Sequence, residues 1–346
     1  MNPPRRQVSV PPATIKRAAR LGGSTLPASG CIALCGLLLA LPLLLRQLPG
    51  QGQFDLFVLA SIGIFVIAVI GQHVLSGLAG QPSLGNGAFF AVGAYSLAVL
   101  LSRYHLSLWL ALPLALATSG AVGMAAGLAG LRVQGPNVAI ISLALVLIVQ
   151  DLLSKYETHT LQATTLTVAR PAALGGDTTF YYYTVGAAAL VLLMVGNLMR
   201  GRTGRALVAL RQSEVAAAML GVPPGPFRIL AFLLSALVTG LAGALEALEQ
   251  GSVTSSSLGL DLSVLLLSAV VVGGIGSLRG AVLGGCLIAG MADLLRYKLP
   301  ATVGPIDVGT ITPMLSGVVI IVVLTRFPSG LAGAMGRQRR GVERFS

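Results

Sequence analysis

The side chains able to do chemistry in this chain are few and scattered. Its 346 residues contain 11 Asp and Glu, 3 His and 3 Cys, and no spacing among them forms a nucleophile with its base, a carboxylate pair or a metal-ligand pattern. Cys31, Cys35 and Cys286 fall in apolar runs, where a thiol behaves as a small hydrophobe. His73, His105 and His159 stand alone and are expected at or near membrane interfaces. Nucleotide hydrolysis requires a Gly-rich phosphate loop ending in Gly-Lys-Ser/Thr. The lysines are Lys16, Lys155 and Lys298, and none follows a glycine. The chain is therefore expected to be no enzyme and to hold no cofactor or metal. If ATP is used, another subunit binds it.

Three polar, Gly-bearing stretches remain. The first, Arg200 to Arg228, reads RGRTGRALVALRQSEVAAAMLGVPPGPFR, with Arg200, Arg202, Arg205, Arg211 and Arg228 against the single acid Glu214. Good helix formers run from Arg205 to Leu220 before Gly221 and the pair Pro223-Pro224, so one short helix is expected, ended by a turn. Such a loop is either solvated or a docking surface. The second, Ser76 to Tyr95 (SGLAGQPSLGNGAFFAVGAY), sets Gln81, Ser83 and Asn86 among Gly80, Pro82, Gly85 and Gly87. Broken backbone at membrane depth is tolerated where it is buried in protein or lines a watery cavity, so this stretch is either a pathway wall or a kinked packing helix. The third, VVVGGIGSLRGAVLGG at 270–285, reads as a tight helix-turn-helix.

The elements that hold these stretches are set by composition. With 55% hydrophobic and 10% charged residues and a mean hydropathy of +0.86, the chain has more apolar surface than a soluble domain of its length can bury. Apolar segments at 31–45, 54–74, 80–101, 107–131, 137–153, 181–199, 229–250, 262–276, 280–296 and 310–326 approach the roughly 20 residues of a spanning helix. The fold expected is an all-α polytopic membrane protein of about ten transmembrane helices, some broken or re-entrant, with both termini cytoplasmic. Residues 1–28 and 331–346 form basic tails, 29–330 the membrane domain, 200–228 a cytoplasmic loop and 154–180 an extracytoplasmic surface loop. Of the 23 Lys and Arg residues, all but Arg46, Arg103, Lys155, Arg170, Arg296 and Lys298 then fall on the cytoplasmic side, as the positive-inside rule requires. That distribution makes the net charge of +12 a topology signal, and no nucleic acid is expected as a partner. The 44 glycines favour close helix packing, and Gly123 with Gly127 and Gly280 with Gly284 have GxxxG spacing. Glu246 and Glu249 are three apart, on one face near the outer end of a span.

Read in order, the stretches SGLAGQPSLGNGAFFAVGAY, LRVQGPNVAIISLAL at 131–145, GRTGRALVALRQSEVAAAMLGV, FLLSALVTGLAGAL at 232–245 and VVVGGIGSLRGAVLGG resemble the permease subunits of branched-chain amino acid ABC transporters. The resemblance implies a place in the bacterial cytoplasmic (inner) membrane and import by alternating access. It further implies two ABC ATPase subunits, a second permease subunit, homologous or identical, and an extracytoplasmic solute-binding protein. By the same resemblance GRALVALRQSEVAAAMLG is the coupling helix that docks on the ATPase, with Arg205, Arg211, Glu214, Ala216, Ala217 and Gly221 as its contact residues and Arg211 and Glu214 at the rim. Gln81, Ser83, Asn86, Asn137, Ser142 and Glu246 are the candidate path residues. Asn137 stands where relatives commonly have tyrosine, and Glu246 and Glu249 replace an aromatic-containing run. Urea, short amides or another small organic solute are therefore alternative cargoes. A secondary transporter is disfavoured because the span centres are nearly empty of ionisable residues, and a membrane-embedded enzyme because none converge.

Overall fold

The computed structural model describes residues 52–132, 137–161 and 165–298 except 169 and 172–173, the pairs 302–303 and 306–307, and residues 317, 325, 326 and 330. The expected first span at 31–45, most of the tenth at 310–326 and both tails lie outside the described residues.

Helix α1, Gly52–Gln72, continues into a π-helical turn, His73–Leu78. The apolar stretch Leu56–Leu78 is 23 residues long, and at about 1.5 Å per residue it can cross a hydrocarbon layer of about 30 Å. The chain is then irregular to Gly85, and α2 runs Asn86–Ser102. It is followed by α3, Leu108–Gly130, and α4, Asn137–Tyr156, which ends in a second π-helical turn, Glu157–Leu161. Helix α5 is Asp177–Arg200. The basic stretch forms α6, Arg202–Gln212, and α7, Glu214–Met219. Helix α8, Pro224–Gln250, begins with proline in its first turn and ends at Gly251 in the left-handed region, both conventional helix boundaries. Helices α9, Leu260–Gly273, and α10, Leu278–Lys298, enclose a short turn. Among the described residues five helices are long and apolar enough to span, which makes the chain an all-α polytopic membrane protein.

Helix α8 is the centre of the bundle and packs against α1, α2 and α3. Missing side chains permit that closeness. A β-carbon on Gly93 would enter the backbone of Gly240, and one on Gly243 the carbonyl of Phe90. Gly123 and Gly127 face Ala236, Phe232 and Ile229 of α8, and Gly284 faces Ala269 and Gly273, so both GxxxG pairs lie at helix crossings. Helices α3 and α4 turn Trp109, Leu110, Leu114, Ile140, Leu147 and Ile148 outward, as lipid or a membrane partner requires.

The end of the bundle near Glu249 is more ordered than a surface loop. Two-residue strands β1, Leu166–Thr167, and β2, Ser252–Val253, pair antiparallel with Leu166 opposite Val253 and Thr167 opposite Ser252. Arg170 donates from Nε to the Leu248 carbonyl at 2.8 Å and from Nη2 to that of Glu249 at 2.6 Å. It also pairs with Asp177 at 2.9 Å and lies over the Phe180 ring. A cation on the last carbonyls of α8 is favourably placed in the helix field. Glu157, buried, accepts from Tyr95 Oη, from the Ser255 amide at 2.9 Å and from Ser255 Oγ at 2.5 Å. The described part of 154–180 thus clamps three segments together, because Arg170 and Glu157 each find several partners.

One expectation needs correction. The helix expected over Arg205–Leu220 is two helices, broken at Ser213, whose backbone is extended and whose side-chain hydroxyl caps α7 by accepting from the Ala216 amide. His73 is completely buried inside the bundle, with its ring lying over Gly77 in the π-helical turn, and Glu249 is buried as well.

Candidate functional site

Two groups of residues stand apart from ordinary packing. The first is the α6–α7 corner. Helix α6 buries Gly204, Ala206, Leu207 and Leu210 against the bundle, so its sequence is amphipathic and its basic face points away. After the Ser213 break the pattern reverses. Ala217 is buried, whereas Val215, Met219 and Leu220 are 71%, 85% and 82% exposed, and Ala216 and Ala218 are exposed beside them. Glu214, in the first turn of α7, forms an ion pair with Arg228, a buried residue of α8. An acid there also suits the helix field. Gly221 ends the corner with φ +82° and open space around it. The corner is a rigid wedge with an apolar tip.

Arg211 and Glu214 therefore do not form a free rim. Arg211 donates from Nη1 to the Gly77 carbonyl at 2.5 Å, and Glu214 is engaged with Arg228. Arg205, exposed, reaches back to the Arg200 carbonyl at 2.9 Å. Of the six residues expected at the docking surface, Ala216 and Gly221 are open, Ala217 supports the corner from below, and Arg205 lies exposed on the preceding helix.

The second group is a buried polar seam around the start of α2. Helix α2 begins beside Ser235 and Thr239, near the middle of α8, since Asn86 Nδ2 donates to both hydroxyls at 3.0 and 3.2 Å. A helix N-terminus inside a bundle leaves amides that need acceptors. Here serine hydroxyls supply them: Leu84 N donates to Ser142 Oγ at 2.9 Å, Gly85 N to Ser83 Oγ at 3.0 Å and Gly87 N to Ser263 Oγ at 2.9 Å. Gln72 Nε2 bridges Ser76 Oγ and the Ser83 carbonyl. Ser235 Oγ donates in turn to the Gly71 carbonyl at 2.8 Å. The carbonyl oxygens of the Gln72, Gln81 and Asn86 side chains are buried without a protein partner among the described residues. Within the irregular stretch 79–85, Ala79, Gln81, Ser83 and Gly85 are buried in protein while Gly80 and Pro82 are exposed, so most of the broken backbone sits in one of the two settings in which it is tolerated.

Gln81, Ser83, Asn86 and Ser142 are brought together. Asn137 is not, being exposed at the start of α4, and Glu246 lies near the far end of α8, where Gln250 Nε2 donates to it at 3.0 Å. Ser235, Thr239 and Ser263 complete the seam and escape a motif search. Their signal is a hydroxyl inside an apolar run, a weak one because serine and threonine also bond back to their own helix. A separate apolar cavity of about 220 Å³ lies between α1, α5 and α8, lined by Val74, Met194, Val195, Leu198, Leu234 and Val238.

Comparison with known proteins agrees with this architecture. The profile of the family described as branched-chain amino acid transport system / permease component matches residues 56–324. The chain is 32% identical over 276 residues to the high-affinity branched-chain amino acid transport system permease protein LivM of Salmonella typhimurium, a match covering 71% of this chain and 64% of that protein. It is 32% identical over 295 residues to LivM of Escherichia coli, covering 77% and 68%. To the probable branched-chain amino acid transport permease protein LivH of Methanocaldococcus jannaschii it is 25% identical over 285 residues, covering 78% and 89%. The match thus spans about two thirds of the LivM relatives' own length. A membrane bundle with this order of motifs, matched over most of its length, belongs to the branched-chain amino acid transport permease family.

Proposed function

We propose that the chain is the membrane permease subunit of an ABC importer of the bacterial inner membrane, taking up branched-chain amino acids and coupled to a separate ATPase through α7. The observation that carries this reading is the exposed apolar tip Val215, Met219 and Leu220 on a short helix braced from behind by Arg211 and Glu214. Three large apolar side chains at the end of a charged corner are out of place in water and fit a hydrophobic groove on a soluble partner. In this reading that partner is an ATPase subunit, and membership of the permease family supports it.

In this reading the serine-capped break before α2 is the part of the permease that changes during transport. Its backbone amides bond hydroxyls on α4 and α9 and the Asn86 side chain bonds hydroxyls on α8, so shifts of those helices can exchange one acceptor for another or for a substrate group. The outer clamp of Glu157, Tyr95 and Ser255 closes the far end. A second permease copy or homologue covers the apolar faces of α3 and α4, and a solute-binding protein delivers cargo from outside.

The test is co-expression with the ATPase, partner permease and binding-protein subunits of a branched-chain amino acid importer from the same source, followed by uptake of radiolabelled leucine. Leucine uptake that requires the ATPase, and is outcompeted by isoleucine and valine but not by urea or acetamide, supports the reading. Competition by urea or short amides alone would replace the cargo and leave the importer intact.

A further inference from the structure

Arg211 is the meeting point of all three polar, Gly-bearing stretches. It is the penultimate residue of α6, just before the Ser213 break that leads to the apolar tip. Its Nη1 donates to the Gly77 carbonyl in the π-helical turn at 2.5 Å. A β-carbon on Gly80 would fall 2.5 Å from Arg211 Cγ and 2.9 Å from its Cβ, and one on Gly276 would strike the guanidinium. Gly80 and Gly276 both have positive φ, +69° and +97°. The side chain therefore runs past the exit of the first broken membrane segment and ends in the turn between α9 and α10. A guanidinium is a planar multiple donor, so it can bond the Gly77 carbonyl with one nitrogen while its flat face and other nitrogens lie against Gly276.

Helix α7 is also tied to α8 through Glu214 and Arg228, but that bond reaches a continuous helix. Arg211 bonds one interrupted segment, at the Gly77 carbonyl, and packs its guanidinium against another, at Gly276; such breaks are the places where a small displacement changes backbone direction. We propose that Arg211 is the positioning residue that transmits movement of the docked α7 corner to the Gly77–Gly80 and Gly274–Gly276 breaks, so that it sets coupling and not docking. This rests on the docking reading given above. Arg211 touches neither cargo nor ATP in this scheme; it acts through the two glycine turns.

The test uses the full complex. Arg211→Ala, Arg211→Lys and the control Arg202→Ala, at an exposed position of α6, are each co-expressed with the ATPase, partner permease and binding protein. Four quantities are measured: permease in membranes, co-purified ATPase, ATP hydrolysis with and without leucine-loaded binding protein, and leucine uptake. Arg211→Ala is expected to keep wild-type membrane level and ATPase content, to hydrolyse ATP without stimulation, and to lose uptake about tenfold, a typical coupling effect. Arg211→Lys recovers part of the stimulation, because an ammonium reaches one carbonyl without filling the fork. Arg202→Ala behaves as wild type. As an independent variant, Gly276→Ala displaces the guanidinium without removing it and should uncouple in the same way. Unchanged uptake in Arg211→Ala overturns the proposal, and so does a loss of ATPase content in step with uptake, which would make Arg211 part of the docking face. ATPase absent from the wild-type preparation would instead overturn the docking reading itself.

Discussion

The ion pair between Glu214 and Arg228 joins the first turn of α7 to a buried position of α8, so the exposed corner is fixed to the central helix of the bundle by a side chain on each. Arg228 is buried and Glu214 is partly exposed, which puts the pair between the surface and interior limits. Glu214→Arg is expected to lower stability in detergent by about 1–2 kcal/mol, more than a surface pair and less than a fully buried one. The double exchange Glu214→Arg with Arg228→Glu should recover about half of that. Thermal unfolding of the four proteins as a double-mutant cycle measures it.

The order of membrane segments, the broken start of α2, the turn after Gly273 and the left-handed Gly221 were legible in the sequence, because each rests on local composition: apolar length, Pro82 among glycines, or a glycine after a helix. What was not legible depends on contacts distant in sequence. Ser213 reads as one more residue of a helix until Ala216 is seen to use it as a cap. Arg211 reads as a polar contact at the rim of a docking surface until Gly77 lies beneath it. His73 reads as interfacial, yet the absence of a side chain at Gly77 leaves room for its ring inside the bundle. The two-residue strands are too short to have a pattern at all, and the clamp formed by Glu157 requires Tyr95 and Ser255 from other segments.

Gly221 has open space where a β-carbon would sit, so a substitution there is resisted by backbone conformation alone. Gly221→Leu is expected to cost about 1–2 kcal/mol for a left-handed residue and to weaken ATPase co-purification and substrate stimulation. Gly221→Asn should be milder, since asparagine visits that region more readily. Equal behaviour of the two variants would show that bulk at the surface, and not φ, decides the outcome.

Close packing of α2 on α8 sets a different limit. Gly243→Ala pushes a β-carbon into the Phe90 carbonyl, whereas Gly186 has nothing within 4 Å. Gly243→Ala should lower stability by about 1–3 kcal/mol, as overpacking does, and reduce the amount of permease in membranes. Gly186→Ala should match wild type. Melting curves in one detergent distinguish them.

Asn86 tests the polar seam. Removing its amide in Asn86→Ala leaves the hydroxyls of Ser235 and Thr239 short of a donor in the interior, at a cost of about 1–3 kcal/mol. If the seam opens during transport, cysteine at Gln81, Ser83 or Asn86 in a background lacking Cys31, Cys35 and Cys286 will be inert in the resting state and react with a small thiol reagent during ATP turnover. Inertness in both conditions would assign the seam to packing.

The most direct measurement is a cross-link from the tip of α7. With Met219→Cys in the same cysteine-free background, a short bifunctional thiol reagent applied to membranes containing the whole complex should join the permease to the ATPase subunit, and the adduct should disappear when Met219→Cys is moved to exposed Trp109 on α3. An adduct at 219 whose yield changes with ATP, in membranes that take up leucine, is the predicted result. Leucine uptake at the wild-type level with no ATPase adduct at 219 would contradict docking through α7.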